Sequence, residues 1–314
     1  MPMKPLALFA SIAFLVGCSA CAAGGKTPVT TNHFYEEGAQ ALTKGDRSAT
    51  KGCNTGAIKY YFTAVELFTL ADAPEALATC YNNIGTLYTG EGKRADALAY
   101  YREAQAIHTR MNNLQGNIRV LTNIATAYLA DGTPDKAEAS LNQADTLATE
   151  GQITWPQSTI TRASLMLHRG DATGALALLL DLKTTIGAPE ASLAASLHFT
   201  LGRSFFALTH HEEALAEFSK ALDVDRKRGA LHLMATDLRE MGRCLAAMDR
   251  KDEAIWHLER ALRITTLLGA TGEQKVLQEL VIELTGNTEA APLSVSGYFI
   301  ERWTHGDSFA APCD

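Results

Sequence analysis

The amino-acid sequence predicts an all-α fold, a right-handed α-solenoid of about six helix-pair repeats with a C-terminal capping helix. The main observation is an alanine that recurs six times, at separations of 40, 40, 38, 39 and 40 residues: Ala57, Ala97, Ala137, Ala175, Ala214 and Ala254. Mostly apolar or small residues follow each alanine after 4, 7 and 10 positions, and these offsets keep them on one helix face. A unit that cannot bury such a face alone must stack on its neighbours, so the period predicts a solenoid.

A second pattern, upstream of each alanine, predicts the other helix of the repeat. Twelve residues before five of the alanines lies a small residue: Gly85, Ala125, Ala163, Gly202 and Gly242. A small residue lets two helices pack closely, and a bulky residue three positions later fills the remaining space. Short breaks with glycine or proline, such as residues 91–93 and 131–134, separate the two helices. Residues 32–269 are therefore predicted to form six antiparallel helix pairs.

The first repeat departs from this spacing. The glycine that matches its small position is Gly38, which lies 19 residues before Ala57 rather than 12. The excess falls in a polar stretch that contains Cys53. Because loops tolerate extra residues better than helices do, we expect an inter-helix insertion at about residues 46–56.

The repeats resemble tetratricopeptide repeats. The residues that carry the resemblance follow one another at the family's spacing: Asn83, Ile84, Gly85, Tyr88, Gly92, Ala97, Tyr101 and Ala104. The period near 40 is longer than the roughly 34 residues of the common form and is similar to that of kinesin light chains and bacterial peptide-sensing regulators. The resemblance implies that the first helix of each pair lines a concave, ligand-binding face.

The N-terminus carries the features of an export signal. Lys4 precedes a short apolar stretch, too short to span a membrane, so residues 1–17 are predicted to be a signal peptide. The sequence from Leu15 to Cys18 resembles a bacterial lipobox, which implies that Cys18 carries acyl chains such as palmitate. An ordinary signal peptide with a chance cysteine is the alternative. Residues 18–31 are expected to be a lipidated flexible tether.

The residue after Cys18 bears on the expected location. Ser19 stands where an aspartate would favour retention in the inner membrane, so we expect a lipid-anchored protein of the bacterial outer membrane, facing the periplasm. Inner-membrane anchoring is the less favoured alternative. The net charge of −7 argues against nucleic acid as a partner.

Motifs of catalysis are sparse. The run His210-His211-Glu212-Glu213 lacks the spacing of a helical zinc site, and acidic residues at a helix start are favoured by the helix dipole. No nucleophile elbow or phosphate-binding loop is present in the sequence. The sequence therefore predicts a protein that is not an enzyme and that uses no cofactor or metal.

Four cysteines lie beyond the tether, and their pairing stays open: Cys53, Cys80, Cys244 and Cys313. Bridging Cys53 to Cys80 would require the insertion to fold back, because the two belong to opposite edges of the solenoid. Cys244 with Cys313 is the most tempting pair if the tail packs back. Buried free thiols are the better-supported alternative for Cys80 and Cys244.

The resemblance also implies candidate binding residues on the concave face. Asn83 and Asn123 occupy equivalent positions in stretches that resemble the peptide-binding helices of kinesin light chains, where asparagine bonds the peptide backbone. Four arginines are expected in the same groove, where they could pair with ligand carboxylates: Arg119, Arg203, Arg239 and Arg243. Asparagines bonded to a neighbouring helix and solvated arginines are the alternative.

The end of the chain is predicted to cover the last repeat. Residues 270–286 form an amphipathic capping helix, and residues 287–314 form an aromatic tail that either packs on the solenoid or binds a partner. The favoured function is a membrane-anchored periplasmic scaffold that binds a peptide segment of an envelope assembly or secretion partner. The alternative is a periplasmic receptor for a peptide or small ligand. Oligomeric state is not encoded in these patterns.

Overall fold

The computed structural model describes residues 32–286 and Cys313. The described residues form thirteen α-helices in chain order: α1 His33–Lys51, α2 Asn54–Leu70, α3 Pro74–Gly90, α4 Arg94–Arg110, α5 Leu114–Ala130, α6 Pro134–Gly151, α7 Pro156–His168, α8 Ala172–Thr185, α9 Ala191–Ala207, α10 His211–Arg228, α11 Leu231–Ala247, α12 Lys251–Leu267 and α13 Thr271–Thr285. Each helix packs mainly on its chain neighbours. This sequential packing is that of an α-solenoid, so the predicted fold class is confirmed.

The connections between helices share one backbone feature. Each of the twelve contains one residue with positive φ: Gly52, Asp72, Gly92, Asn112, Gly132, Gln152, Gly170, Gly187, Thr209, Gly229, Asp249 and Gly269. A left-handed residue just past a helix end turns the chain sharply and satisfies terminal carbonyl groups. Proline at the start of α3, α6 and α7 pre-sets the next helix.

The recurring alanines lie at the centre of the repeats. All six have an exposed fraction of 0%. The large residues four positions later are buried as well: Tyr61, Tyr101, Leu141, Leu179, Phe218 and Leu258. The glycines at the small position of the first helix leave room for these residues. A Cβ built on Gly85, for example, would lie 2.7 Å from the Tyr101 ring. The helix face predicted from the spacing is therefore the core.

The predicted insertion in the first repeat is wrong. Residues 46–51 continue helix α1, and only Gly52 and Cys53 separate it from α2. The small position is Gly45, which lies 12 residues before Ala57 and packs on the Tyr61 ring. Gly38 lies on the same helix face and packs on Phe68 instead. The first repeat therefore follows the common spacing.

The two ends of the solenoid are differently covered. Leu277 and Val281 of α13 are buried in the last hydrophobic cluster, together with residues of α11 and α12. The end of α1 reaches α11, where a Cβ on Gly52 would lie 2.9 Å from the Cβ atom of His232. The path of the chain thus brings its first repeat against its last. Among residues 32–286, no helix combines the length and apolar character that a membrane span requires.

The disulfide joins neither of the pairs considered from the sequence, and the expectation of buried free thiols at Cys80 and Cys244 is confirmed. Cys313 is bonded to Cys53, with the two Cα atoms 5.1 Å apart, and not to Cys244. Cys80 and Cys244 are buried free thiols, and burial raises the pKa of each to about 12. Cys53 lies at the α1–α2 connection, so the bond ties the penultimate residue to the first repeat. Cys18, the signal and tether (residues 1–31), and the other tail residues, 287–312 and 314, lie outside the described residues.

Candidate binding groove

The odd-numbered helices line the inner face of the solenoid. α3 contacts α5, α5 contacts α7, and α7 contacts α9, whereas no pair of even-numbered helices in the described chain makes comparable contact. When helix pairs stack along a curve, the helices that approach one another most closely are on its concave side. The groove is therefore formed by the first helix of each pair, as expected.

Asn83 and Asn123 belong to one chain of polar side chains across α1, α3 and α5. The amide of Asn83 donates to Asp46 Oδ1 at 3.0 Å, and the Asp46 carboxylate also accepts from the Tyr61 hydroxyl at 2.9 Å. Asn123 donates to Asn82 Oδ1 at 2.8 Å. Each predicted asparagine thus uses one amide donor within the protein. The amide of Asn82 also donates to Asn83 Oδ1 at 3.3 Å, which joins the two asparagines into one chain. The second amide hydrogen of each asparagine and the carbonyl oxygen of Asn123 give capacity for a ligand.

Arg119 lies apart from the other arginines. It is exposed on α5, with its guanidinium 5.6 Å from the ring centroid of Trp155. The two line a cavity of about 410 Å³ together with Glu190. A guanidinium stacked on an indole is held in place while its edges stay available for hydrogen bonds.

The other three arginines gather where α9 faces α11. Arg239 and Arg243 bind opposite oxygens of Glu240, at 3.0 and 2.7 Å. Arg239 also binds Glu273 of α13. The expectation that these two arginines are available for a ligand therefore needs correction, because their charges are already paired.

Arg203 is the arginine of this group that keeps binding capacity. It pairs with no carboxylate among the described residues, and burial together with nearby Arg243 lowers its pKa despite the charge of Glu240. It lines a cavity of about 340 Å³ between α5, α7 and α9, with Thr126, Gln157 and His168. Burial of an unpaired cation is costly, so this guanidinium favours an incoming acceptor.

A buried charge network on the adjacent α9–α10 pair is structural. Glu217 of α10 is 7% exposed and contacts His198 at 2.5 Å, Lys220 at 2.7 Å and Lys183 at 3.3 Å. Burial would raise the Glu217 pKa, but the hydrogen bonds from His198 and Lys220 and the charge of Lys183 lower it to about 2. The Glu217 carboxylate is therefore compensated by charged groups of the protein itself, which explains why it can be buried.

The sequence predicted which helix face lines the groove, but it did not predict the hydrogen-bond partners of the groove residues. Asp46, Asn82 and Glu240 were not candidates, although each bonds a predicted site residue. The i,i+3 spacing of Glu240 and Arg243 could have revealed one pair. Within the described parts of the chain, no group of three or more His, Cys, Asp or Glu side chains could hold a metal ion.

Two parts of the chain match models of the tetratricopeptide repeat, residues 77–114 and residues 192–266. Photosystem I assembly protein Ycf3 of Cyanophora paradoxa is 24% identical over 125 residues, which are 40% of this chain. The match spans 63% of that relative's length.

Solved structures with similar folds share little sequence with the chain. BtubC (BKLC) from P. vanneervenii is 16% identical, with a TM-score of 0.47 over 74% of this chain and 91% of that one. The Cut9 and Hcn1 complex of APC/C matches at 13% identity, with a TM-score of 0.48 over 87% of this chain and 57% of that one. Residues 77–114 and 192–266 are therefore tetratricopeptide repeats, and the other helix pairs of the described chain pack in the same sequential way.

Proposed function

We propose that the protein is a scaffold, anchored to the outer membrane and facing the periplasm, that binds an extended segment of an envelope assembly or secretion partner. The observation that carries the proposal is the groove of odd-numbered helices, with Asn83, Asn123 and Arg203 on one continuous inner surface. Tetratricopeptide repeats present such concave surfaces to other proteins. Amides and guanidinium groups there can bond the backbone carbonyls of an extended peptide.

Two further features support the proposed compartment. The bond between Cys53 and Cys313 favours an oxidising environment such as the periplasm, because cytosolic thiols are kept reduced. The sequence from Leu15 to Cys18 resembles a lipobox, and acyl chains add about 0.8 kcal/mol of membrane affinity per buried CH₂ group. The name of the relative Ycf3, an assembly protein, is compatible with a scaffold.

Photocrosslinking in intact cells tests the groove. A photoreactive residue replaces Thr126, which is exposed in the groove, or Leu180, which is exposed on even-numbered helix α8 and serves as the control. We expect Thr126 to capture an envelope protein through an extended segment, and a synthetic peptide of that segment to bind the purified protein. Arg203→Met should weaken capture without lowering the melting temperature. Equal capture from both faces would contradict the proposal.

Cys18→Ala tests the anchor separately. We expect the variant to leave the membrane fraction, while a Ser19→Asp variant should move from the outer to the inner membrane. A Cys18→Ala protein that sediments with membranes like the wild type would contradict lipid anchoring.

A further inference from the structure

One repeat interface contains two acids where the others contain apolar or uncharged side chains. At four of the interfaces, the last turn of the second helix and the following first helix contribute a pair of residues 12 positions apart, both buried: Phe68 with Cys80, His108 with Val120, Thr265 with Leu277, and Asp225 with Asp237. Asp225 of α10 is 3% exposed, and Asp237 of α11 is 1% exposed. Two carboxyl groups at such a position cost free energy unless something compensates them.

The two acids line a small pocket that joins the groove. Its volume is about 100 Å³, and its other lining residues are apolar or hydroxylic: Ala195, Ser196, Phe199, Leu233 and Thr236. Ser196 and Phe199 also line the larger groove cavity that contains Arg203. Both are half-buried, whereas the acids are almost wholly buried. The pocket therefore runs from the groove surface to the carboxyl groups.

The partners of the two acids are unequal. Asp225 Oδ1 accepts a hydrogen bond from Arg228 at 2.6 Å. Asp237 Oδ2 is buried and has no hydrogen-bond partner among the described residues. Burial, with the charges of Asp225 and Glu240, raises the pKa of Asp237 to about 8. The pocket thus holds an acceptor that no group of the described chain satisfies.

We propose that this pocket takes the primary ammonium of a lysine side chain in the partner segment, an inference that rests on the proposed function of the groove. An ammonium has three donors, which match Asp237, Asp225 and a hydroxyl group. Thr236 donates its own hydrogen to the His232 carbonyl at 3.1 Å, so its oxygen can accept. Phe199 and Leu233 offer apolar surface to the lysine stem.

The size and donor set of the pocket favour an ammonium over a divalent metal. About 100 Å³ corresponds to roughly three water molecules, enough for an ammonium and part of its alkyl stem. Calcium takes about six to eight oxygen ligands. The described pocket offers two carboxyl groups and two hydroxyl groups. An alkylammonium, with three donors, can satisfy its hydrogen bonds with these acceptors, whereas calcium would need more oxygen ligands than the pocket offers.

Binding of a cation in the pocket is coupled to loss of a proton. The ligand is attracted by the ionised form of Asp237, and below its pKa the carboxyl group must first deprotonate. With a pKa of about 8, affinity should fall roughly tenfold for each pH unit below that value. The other charges near the site are Asp225 and Arg228 at the end of α10, Glu240, Arg239 and Arg243 on α11, and Arg203 on α9.

The test uses Nα-acetyl-lysine N-methylamide as the probe and the full chain with its disulfide intact. The norleucine analogue, which keeps the alkyl stem and lacks the charge, is the matched control ligand. Methyl signals of Leu233 and Thr236 report binding by NMR, because both residues line the pocket. We expect the lysine probe alone to shift both signals, more weakly at pH 6 than at pH 8.

Three variants decide the outcome. Asp237→Asn keeps the shape, and Asp237→Leu restores the apolar residue found at Leu277; each should weaken the lysine probe at least tenfold. Asp223→Asn alters an exposed acid of α10 and should leave binding unchanged. Equal binding of both probes, or wild-type binding by Asp237→Asn, would overturn the inference.

The groove crosslinking separates this inference from the proposed function. Capture of a partner at Thr126 without any probe binding would overturn the lysine pocket and support the scaffold. Probe binding without capture would support an amine site and contradict the scaffold. The captured segment should contain a lysine whose replacement by norleucine weakens binding.

Discussion

The α2–α3 interface and the α10–α11 interface share one register and contain opposite chemistry. At the first, Phe68 and Cys80 are buried in a hydrophobic cluster. At the second, Asp225 and Asp237 occupy the matching positions beside a pocket. A repeat scaffold can therefore place a functional group in a core position, because the neighbouring interfaces maintain the fold. The first interface supports the structure, and the second is suited to a ligand.

The largest effect is expected at the apolar interface. Phe68→Ala should lower the free energy of unfolding by about 3–5 kcal/mol, because it leaves a cavity in a fully packed site. Urea unfolding measures the change. Leu70→Ala, at an exposed position of the same helix, is the control and should cost far less. Similar losses from the two variants would mean that Phe68 is not a core residue.

Loss of the disulfide is expected to have the second-largest effect on stability. Cys53→Ser should lower stability by about 2–4 kcal/mol, since the bond constrains the unfolded chain. Thermal unfolding of the oxidised protein shows the change. Cys313→Ser should match it, and the double variant should add nothing. Reductant should affect only the wild type, and equal sensitivity of Cys53→Ser to reductant would disprove the pairing.

The register of the first repeat predicts a smaller effect. Gly45→Ala should cost about 1–3 kcal/mol, because the added methyl group would overlap the Tyr61 ring. Gly90→Ala has open space around its added Cβ and should be neutral or slightly stabilising. Thermal melts compare the two variants. A neutral Gly45→Ala would show that the close approach of Gly45 to the Tyr61 ring does not fix the register of the first repeat.

At the acidic α10–α11 interface, an apolar substitution is expected to increase the stability of the protein. Asp237→Leu should stabilise the protein by at least about 1–2 kcal/mol at neutral pH, because a buried acceptor without a partner is replaced by an apolar side chain. Chemical unfolding at pH 7 gives the value. Cys80→Asp makes the reverse change at the apolar interface and should be strongly destabilising. A destabilised Asp237→Leu protein would show that the carboxyl group has an internal partner.

The fold was predictable because six repeats of one sequence can be compared with one another position by position. Six alanines share one phase, and all six are buried. The error in the first repeat arose because Gly38 and Gly45 are seven residues apart and so share a helix face. The spacing of 12 residues before Ala57 distinguishes them, and it selects Gly45.

The site was predictable as a surface and not as a set of contacts. Helical spacing places Arg239 and Arg243 on the inner face, but it does not show that Glu240 binds both. The bond from Cys53 to Cys313 joins residues 260 positions apart, and the repeat pattern says nothing of the tail's path. Asp237 could have been found by aligning it with Cys80 and Leu277, since a carboxyl group is out of place there.

The most direct test of the contrast between the two interfaces is the pH dependence of unfolding in wild type and Asp237→Leu. The folded pKa of Asp237 is raised from 3.8 to about 8, so the native state binds the extra proton between these values. Stability should therefore fall as pH rises through this window, by at most roughly 1.4 kcal/mol per pH unit, and the fall should be absent from the variant. Superimposable pH profiles would contradict the account, because they would show that Asp237 is ionised and compensated like an ordinary surface acid.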